Sequence, residues 1–356
     1  MPGLLWPVVL YPLVLLIHLV VPARTVDGYV RDPRSGRPLR YRLNGLRVFL
    51  VVIALWLASC RLGFIPWDAL WVARWSSAAS ACVLGLLFTL AVVLPAPRRG
   101  SLGADLYLGR LDNPQWLGGR VDAKMLLYLV GAIMLELNVL SFAAHHLLVH
   151  RGDPSPGVLL YTAMFSFFLA EYLNFEEVHL YTYDFFAERV GFKLGWGCLV
   201  FYPFFYCVGL WSLAERPNPH TPPALLAAYV ALFLGGWVLS RGANLQKFLF
   251  KTRPDAKLLG LLAPVALDGG GKQLLCSGFW RLSRHINYLG EILMALGLTL
   301  ALGYPLALGP WLYPLYYVVL LLPRQHFDDQ RCAAKYGALW ERYCAEVPYR
   351  IVPFVY

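Results

Sequence analysis

Long apolar runs recur along the whole chain of 356 residues and leave it few possible folds. Hydrophobic residues make up 58% of the sequence and charged residues only 15%, too few polar side chains to cover a soluble domain. Inside a bilayer the backbone must satisfy its own hydrogen bonds, and runs of about 20 apolar residues suit helices that cross it. The sequence therefore predicts an all-α, polytopic integral membrane protein.

Nine apolar runs are candidate membrane spans, and they predict nine or ten transmembrane helices. Seven approach the length of a bilayer crossing: Leu4–Val21, Leu46–Ile65, Trp75–Leu94, Met125–Leu148, Val158–Leu173, Gly195–Leu213 and Ala224–Leu239. Two weaker runs follow, Tyr288–Leu308 and Trp311–Leu322, and the short last run is expected to form a hairpin with its predecessor. Proline-rich breaks between runs are ordinary helix punctuation, so we expect a single membrane domain over residues 1–356.

Basic residues concentrate in alternate connections between these runs. The segments 24–42, 98–124 and 241–257 are rich in Lys and Arg, whereas the even-numbered connections hold little more than Arg151 or Arg216. The positive-inside rule then places the N-terminus outside or in the lumen and the C-terminus in the cytoplasm. This distribution accounts for much of the net charge of +10 without nucleic acid as a partner. The first run lacks a basic leading segment and a cleavage site, which favours a retained helix.

The seven cysteines are scattered, with no C-x-x-C pair and no histidine at zinc spacing. The sequence therefore predicts neither a disulfide framework nor a metal site.

Four polar groups in or near the spans are candidates for chemistry. The first, R-G-A-N-L-Q-K-F-L-F-K-T-R, runs from Arg241 to Arg253. Its cations suit the phosphates of a nucleotide, but Lys and Arg beside a membrane also anchor helices at lipid headgroups. Asn244 and Gln246 favour the specific role, because attraction to headgroups requires charge and not amides.

The second group, S-G-F-W-R-L-S-R-H-I-N-Y-L-G-E, runs from Ser277 to Glu291. At a helix start, several of its polar side chains would share one face: Arg284, His285, Asn287 and Tyr288. A helix cap with Trp280 as an interfacial aromatic anchor is the alternative. Glu291 within an apolar run favours a functional site, because carboxylates inside membranes are rarely structural.

The third group runs from Arg324 to Arg350. Its polar residues recur every three or four positions along one helical stripe: Arg324, Asp328, Cys332 and Lys335, with Tyr336 adjoining. The stripe would suit a nucleotide, with arginine on phosphate and aspartate on a hydroxyl or amide. A surface ion pair between Arg324 and Asp328 is equally compatible with the spacing.

The fourth group is acidic and follows the fifth span: E-Y-L-N-F-E-E-V-H-L-Y-T-Y-D. It contributes four carboxyl groups, Glu171, Glu176, Glu177 and Asp184. Desolvated carboxyl groups hold protons at neutral pH, as a general acid must, whereas a solvated acidic loop would not. The position of Glu171 inside the apolar run favours desolvation for that residue.

Several of these segments resemble motifs of one family. S-G-F-W-R-L-S-R-H-I-N-Y-L-G-E, with D-x-x-x-C-x-x-K-Y-G-x-x-W-x-x-Y-C-x-x-V-P-Y-R-I-x-P, resembles the C-terminal signature of the sterol reductases. This family includes the Δ14-sterol, 7-dehydrocholesterol and Δ24(28)-sterol reductases and the membrane domain of the lamin B receptor. L-R-Y-R-L-N-G, L-Y-L-G-R-L-D-N-P and R-G-A-N-L-Q-K resemble upstream motifs in the same order, so the resemblance extends from about residue 39 onward.

The resemblance implies a membrane enzyme that reduces a C=C bond of a sterol with NADPH. It further implies that residues 1–240 form much of the substrate cavity and that residues 241–356 bind the cofactor. The implied NADPH contacts are Lys247, Lys251, Trp280, Arg284, His285, Asn287, Tyr288, Arg324, Asp328, Lys335, Tyr336 and Tyr349. The implied partners are a sterol or isoprenoid lipid and the bilayer, in a bacterial inner membrane or the endoplasmic reticulum.

The chain departs from the family pattern mainly on the substrate side. Phe168 stands where the family has a tyrosine whose hydroxyl can donate a proton, and the segment Glu-x-Arg-Pro-Gly expected after Lys124 is absent. Glu171 or Glu176 is then the candidate acid. Two other functions remain compatible with the residues: a redox-neutral isomerase or cyclase that protonates an isoprenoid alkene, and a non-catalytic sterol-binding membrane protein.

The distribution of basic residues generates a prediction about topology. A cysteine placed in a tag at the N-terminus should react with an impermeant reagent from outside or from the lumen, and one at the C-terminus only from the cytoplasmic side. Labelling of both ends from the same side would show that the number of spans is wrong by one.

Overall fold

A computed structural model describes residues 6–33 and 35–356. The run predicted at Leu4–Val21 therefore begins outside the described residues. The chain divides into two compact units, an N-terminal unit that ends at Asn218 and a C-terminal unit that begins at Pro219. The boundary expected at residue 240 falls inside a long helix of the C-terminal unit.

Helices dominate the N-terminal unit. They are α1 (Trp6–Val20), α2 (Gly45–Arg61), α3 (Ala69–Val72), α4 (Arg74–Val93), α5 (Leu102–Leu108), α6 (Ala123–Val149), α7 (Pro156–Asn174), α8 (Glu176–His179), α9 (Tyr183–Phe186), α10 (Phe192–Trp196), α11 (Tyr202–Phe205) and α12 (Val208–Leu213). A π-helical turn, Gly197–Phe201, joins α10 to α11. Two antiparallel hairpins lie in the connections: β1 (Arg24–Arg31) with β2 (Pro38–Leu43), and β3 (Gln115–Trp116) with β4 (Val121–Asp122).

Helices also dominate the C-terminal unit. Its helices are α13 (Pro223–Thr252), α14 (Phe279–Leu282), α15 (Ile286–Ala301), α16 (Leu308–Tyr336) and α17 (Ala338–Glu346). One antiparallel hairpin, β5 (Ala266–Gly269) with β6 (Lys272–Leu275), precedes α14.

The prediction of a helical membrane protein is confirmed at the coarse level, one detail needs correction, and the number of spans is not confirmed. The fold is not purely α, because the polar connections form hairpins. Nine or ten spans are not confirmed either: among the described residues, five helical segments are long and apolar enough to cross a membrane, namely Arg74–Val93, Ala123–Val149, Pro156–Asn174, Phe192–Leu213 and Pro223–Thr252. Helices α1 and α15 are apolar but shorter. Helix α16 is long, but its polar second half lowers its hydropathy.

Helix α6 is the core of the N-terminal unit. Its apolar side chains surround the whole helix, and α1, α2, α3, α7 and α11 pack against it. A helix that is hydrophobic on all sides is stable only when it is covered in this way. Asp122 caps its start, because its Oδ1 accepts hydrogen bonds from the backbone N–H groups of Lys124 at 3.0 Å and Met125 at 3.1 Å.

Helices α13 and α15 of the C-terminal unit touch through glycines. A Cβ atom on Gly236 would lie 2.6 Å from the carbonyl oxygen of Gly290, and one on Gly290 would lie 2.5 Å from that of Gly236. Small residues allow helix backbones to approach closely, and this packing is common between membrane helices. The contact fixes the register of α13 against α15 and hence of the polar side chains that follow on both helices.

The glycine contact generates a prediction with a control in the adjacent position. Gly236→Ala should lower the thermal unfolding midpoint in detergent, because overpacking a close contact typically costs about 1–3 kcal/mol. Gly235→Ala should be neutral or stabilising, since a Cβ atom there meets nothing within 4 Å and alanine favours the helix. Equal midpoints for the two variants would contradict the observed register.

Candidate functional site

Polar side chains follow the glycine contact along α13 and α15. Ser240 donates a hydrogen bond to Oε1 of Glu291 at 2.6 Å, and the guanidinium of Arg241 lies 3.4 Å from the same oxygen. Further along α13 towards its C-terminal end, the amide of Asn287 donates to Oδ1 of Asn244 at 3.3 Å. The register set by the glycines therefore places Asn244 and Asn287 side by side.

The short helix α14 is fastened to α13 by Gln246. The Gln246 amide accepts a hydrogen bond from the N–H of Phe279 at 3.0 Å and donates one to the carbonyl of Ser277 at 3.0 Å. Trp280 then donates its indole N–H to the carbonyl of Ala243 at 2.8 Å. The Lys247 ammonium lies 5.3 Å from the centre of the indole ring, within the range of a cation–π contact.

Asp329, which the sequence analysis did not single out, connects α16 to the start of α15. Its Oδ1 lies 3.1 Å from Nε2 of His285, and its Oδ2 accepts from the Gln325 amide at 2.7 Å and lies 3.7 Å from the Arg284 guanidinium. Burial alone would raise the pKa of Asp329, but the hydrogen bond and the charges of His285 and Arg284 hold it below its usual range. Asp328 also approaches this histidine, with Oδ2 at 4.0 Å from Nδ1.

We call the set Asn244, Lys247, Trp280, Arg284, His285, Asn287, Asp328 and Asp329 the polar cluster. The structure thus brings together four residues expected from the second motif, Lys247 and Asn244 from the first and Asp328 from the third, and Asp329 joins them. Its signal in the sequence was weak, because it follows Asp328 directly and lies off the stripe that Arg324, Asp328 and Cys332 define.

The remaining predicted contacts lie around this cluster in the same unit. The ring of Tyr288 stacks on His285 with centres 5.0 Å apart, and the backbone carbonyl of Tyr349 accepts from the N–H of Arg284 at 3.0 Å. Arg324 precedes Asp328 by one turn of α16, and Lys335 lies 5.1 Å above the ring of Tyr336 near the end of that helix. Lys251 is exposed near the end of α13.

Two buried polar atoms of the cluster lack a hydrogen-bond partner in the described part of the chain. Among the described residues, Oδ1 of Asn287 and Nε of Arg284 are buried without a hydrogen-bond partner. Buried polar atoms normally have partners, and an unmade hydrogen bond is costly. An unpaired acceptor and an unpaired donor are compatible with the hydroxyl, phosphate and amide groups of a dinucleotide.

The four predicted carboxyl groups of the N-terminal unit lie in different environments. Glu171, in the last turn of α7, is 7% exposed, and Glu176, at the start of α8, is 8% exposed. Glu177 is partly exposed and pairs with Arg24. Asp184 is half-buried in α9, and its backbone carbonyl accepts a hydrogen bond from Lys124. A solvated acidic loop therefore does not describe Glu171 or Glu176.

Glu176 sits on the N-terminal end of α2. Its Oε2 accepts a hydrogen bond from the backbone N–H of Gly45 at 2.9 Å, and a Cβ atom on Gly45 would lie 2.3 Å from its Oε1. Burial raises the pKa of Glu176 to about 7, although the N–H groups of Gly45 and Asn44 oppose the shift. Near neutral pH this carboxyl group is therefore divided between its acidic and its basic form.

A cavity of about 10 Å³ lies beside Glu176 and includes polar groups that the sequence analysis overlooked. Tyr128 of α6, Tyr172 of α7 and His179 of α8 line it together with Glu176. The sequence signal for His179 was its spacing of three residues from Glu176, which places both on one side of a helical turn. Nothing in the sequence singled out Tyr128 and Tyr172, because they are ordinary aromatic residues within apolar helices.

A second overlooked carboxyl group lies within the α6 span. Glu136 is 2% exposed, and its Oε1 accepts a hydrogen bond from Ser166 of α7 at 2.6 Å. Its place in the middle of an apolar run was a signal available in the sequence, because charged groups inside membranes are costly and usually have partners.

The fold and the two sets of polar residues define a helical membrane protein equipped for chemistry on an apolar substrate. Comparison with known sequences identifies its family. The ergosterol biosynthesis ERG4/ERG24 family matches residues 4–356, so the chain belongs to this family of sterol reductases, and the resemblance recognised from residue 39 onward is confirmed.

Its relatives carry consistent names. A Delta(14)-sterol reductase of Arabidopsis thaliana is 30% identical over 95% of this chain and 91% of the relative. The Delta(14)-sterol reductase TM7SF2 of Mus musculus is 35% identical over 95% of this chain and 82% of the relative. A bacterial Delta(14)-sterol reductase, from Methylotuvimicrobium alcaliphilum, is 33% identical over 96% of this chain and 80% of the relative.

Proposed function

We propose that this protein reduces a C=C bond in a sterol or another polycyclic isoprenoid lipid, with NADPH as the electron donor. Membership of the sterol reductase family makes it an oxidoreductase of the CH–CH class with a nicotinamide cofactor in general. The observation that carries the proposal is the polar cluster, which contains the contact between Lys247 and Trp280 and two buried polar atoms, Oδ1 of Asn287 and Nε of Arg284, that have no hydrogen-bond partner among the described residues. A lipid substrate agrees with the apolar helices.

The polar cluster supports distinct roles for its members. Asn244 and Asn287 offer amide groups, and Trp280 offers an indole whose orientation is fixed by Ala243. Lys247, Lys251, Arg324 and Lys335 supply the cations that a nucleotide with an extra phosphate requires. Asp329 holds Arg284 and His285 in place. NADPH, when bound, would supply the hydride.

The N-terminal unit supplies the acid in this proposal. A C=C bond that accepts hydride at one carbon needs a proton at the other, and Glu171 and Glu176 are buried carboxyl groups available to donate it. Phe168, where the family pattern has a tyrosine, is buried and has no hydroxyl group. A carboxyl group with a pKa near 7 suits general acid catalysis at neutral pH.

The cytoplasmic side is the proposed location of the cofactor, and the membrane is bacterial or that of the endoplasmic reticulum. The basic segment at the end of α13 supports this orientation under the positive-inside rule.

The first prediction for this function concerns the cofactor. Arg324→Ala should weaken NADPH binding by about 1–3 kcal/mol, the scale of a lost charge-assisted contact. Calorimetric titration of the detergent-solubilised protein with NADPH and with NADH would measure this loss and the preference for the extra phosphate. Arg342→Ala is the matched control, because Arg342 is an exposed arginine of the same unit whose guanidinium donates to the carbonyl of Asp268.

Failure of the unmutated protein to bind NADPH would exclude the reductase and favour a redox-neutral isomerase or cyclase. Equal losses for Arg324→Ala and Arg342→Ala would contradict the proposed role of Arg324.

The second prediction concerns the acid. Glu171→Gln should abolish sterol reduction and leave NADPH binding intact, and Glu176→Gln is the comparison. Glutamine at 176 retains an acceptor oxygen for the Gly45 N–H, so the start of α2 stays capped while the acidic proton is lost. Product formation is measured by lipid extraction after incubation with NADPH and candidate sterols.

Glu215→Gln is the control for loss of a carboxyl group, since that side chain is 66% exposed at the opposite end of the helices. Near-full turnover in Glu171→Gln would reject Glu171 as the donor, and a loss confined to Glu176→Gln would assign the role to Glu176.

A further inference from the structure

The motif L-R-Y-R-L-N-G ends at Asn44 and Gly45, where β2 meets the start of α2. Asparagine is favoured at the N-cap of a helix, because its side-chain oxygen can accept from the first N–H groups. Asn44 occupies the N-cap position of α2, yet its side chain makes no capping hydrogen bond to the described N–H groups of that helix. The side chain of Asn44 therefore has another task.

The Asn44 side chain binds a neighbouring helix instead. Its amide nitrogen donates to the carbonyl oxygens of His18 and Val21, both at 3.0 Å, at the C-terminal end of α1. Because carbonyl oxygens only accept, these two contacts fix the orientation of the amide. The last carbonyls of a helix lack partners within it, so Asn44 caps α1. The residue is 4% exposed, which leaves its side chain little room to move.

Two arginines bind the same end of α1. Arg42 donates to the carbonyl oxygens of Leu19 at 3.2 Å and Val21 at 2.7 Å, and Arg120 donates to that of Leu19 at 3.0 Å. Arg42 precedes Asn44 by two positions and so attaches the motif to α1 at a second point. The backbone at the start of α2 is therefore held in place by contacts that do not involve Glu176.

The first N–H groups of α2 are left for Glu176. The N–H of Gly45 donates to Oε2 of Glu176 at 2.9 Å, and the N–H of Asn44 also hydrogen-bonds to this carboxyl group. A Cβ atom on Gly45 would lie 2.3 Å from Oε1 and 2.7 Å from Cδ of Glu176, so the approach requires glycine. The positive end of the α2 dipole favours a negative charge at this position.

We propose that Asn44 is a positioning residue for Glu176: by capping α1 with its side chain, it directs the backbone N–H groups of Asn44 and Gly45 at the carboxyl group. The proposal rests on the reductase function with Glu176 as its acid. Asn44 acts on the substrate only through Glu176.

The two N–H groups oppose the effect of burial on Glu176. Burial raises the pKa of Glu176 to about 7, whereas the hydrogen bonds from Gly45 and Asn44 favour the carboxylate and lower the pKa. Weaker hydrogen bonds should therefore raise the pKa further. A general acid must be protonated, so reduction falls as the pH rises through this pKa, and a higher pKa moves that fall to higher pH.

Other charged or titratable groups lie on the elements around Glu176. They are His18 on α1, Arg24 on β1, Arg42 on β2, Lys124 and Tyr128 on α6, Glu171 and Tyr172 on α7, Glu177 and His179 on α8 and Asp184 on α9. Arg24 pairs with Glu177, and Arg42 and Lys124 donate to backbone carbonyls. Substitutions at Asn44 and Gly45 that leave every charge unchanged therefore test the N–H groups themselves.

The test is the pH profile of sterol reduction. Asn44→Ser keeps a favoured N-cap residue for α2 but is too short to bind both carbonyls of α1. Its loss of activity at high pH should move up by about 0.5–1 pH unit, the size expected for weakened hydrogen bonds. Gly45→Ala should shift the profile in the same direction, because the added Cβ atom displaces the carboxyl group from the N–H groups.

Asn218→Ser is the matched control, since it removes an asparagine hydrogen bond to Asp153, at 2.9 Å, in the segment after α12. Its pH profile should equal that of the unmutated protein. A rate for Asn44→Ser that falls equally at every pH would overturn the proposal, because it would show a purely structural role. An unshifted profile in Gly45→Ala would also overturn it, and this variant keeps the test decisive if Asn44→Ser does not fold.

Absence of any reduction by the unmutated protein would count against the proposed function and not against the positioning role. An infrared titration of the Glu176 carboxyl band, assigned by its loss in Glu176→Gln, then decides the role of Asn44. The midpoint should rise by about 0.5–1 pH unit in Asn44→Ser and stay in place in Asn218→Ser. Equal midpoints in Asn44→Ser and the unmutated protein would reject Asn44 as a positioning residue.

Discussion

The close contact between Gly236 of α13 and Gly290 of α15 is the constraint on which the C-terminal unit depends. Without side chains between them, the two backbones fix each other's register, and the polar residues beyond the glycines meet in pairs. Ser240 reaches Glu291, and further along Asn287 reaches Asn244. Hydrogen bonds alone would set this register poorly, because each is worth little net free energy in the folded state. Packing therefore places the amides, and the amides then offer their remaining atoms to a ligand.

The N-terminal unit buries the carboxyl groups of Glu136 and Glu176. Glu136 and Glu176 each accept a hydrogen bond, from Ser166 and from the Gly45 N–H, and neither has a salt bridge among the described residues. A cationic partner would stabilise the carboxylate and lower its pKa. Lys124, the buried cation of this region, donates hydrogen bonds to three backbone carbonyls. Its charge therefore holds the segment from Asp184 to Glu188 in place.

The sequence was sufficient for the membrane class and the family because these depend on composition and on motifs of fixed spacing. Trp280, Asn287 and Asp328 could be named from the motif alone. Asp329 could not, since its role arises from the turn of α16 that faces His285. The hairpins were missed because short strands in polar connections carry no apolar alternation. The number of spans stays a prediction, because apolar runs do not show where a helix ends, as at Arg61 and Ala301. The cavity beside Glu176 was beyond prediction because its walls come from four helices, α6, α7, α8 and α9.

Adjacent residues Glu176 and Glu177 lie in different electrostatic environments, and the fold sets the difference. Glu177 is partly exposed and forms an ion pair with Arg24. Glu176 turns to the interior, where the start of α2 supplies N–H groups instead of a full charge. Desolvation then outweighs those hydrogen bonds, and the pKa moves to about 7. Because Gly45 has no side chain, the Glu176 carboxyl group can approach the N-terminal end of α2 closely. This glycine and the helical turn of α8 therefore decide which of the two neighbouring glutamates can hold a proton at neutral pH.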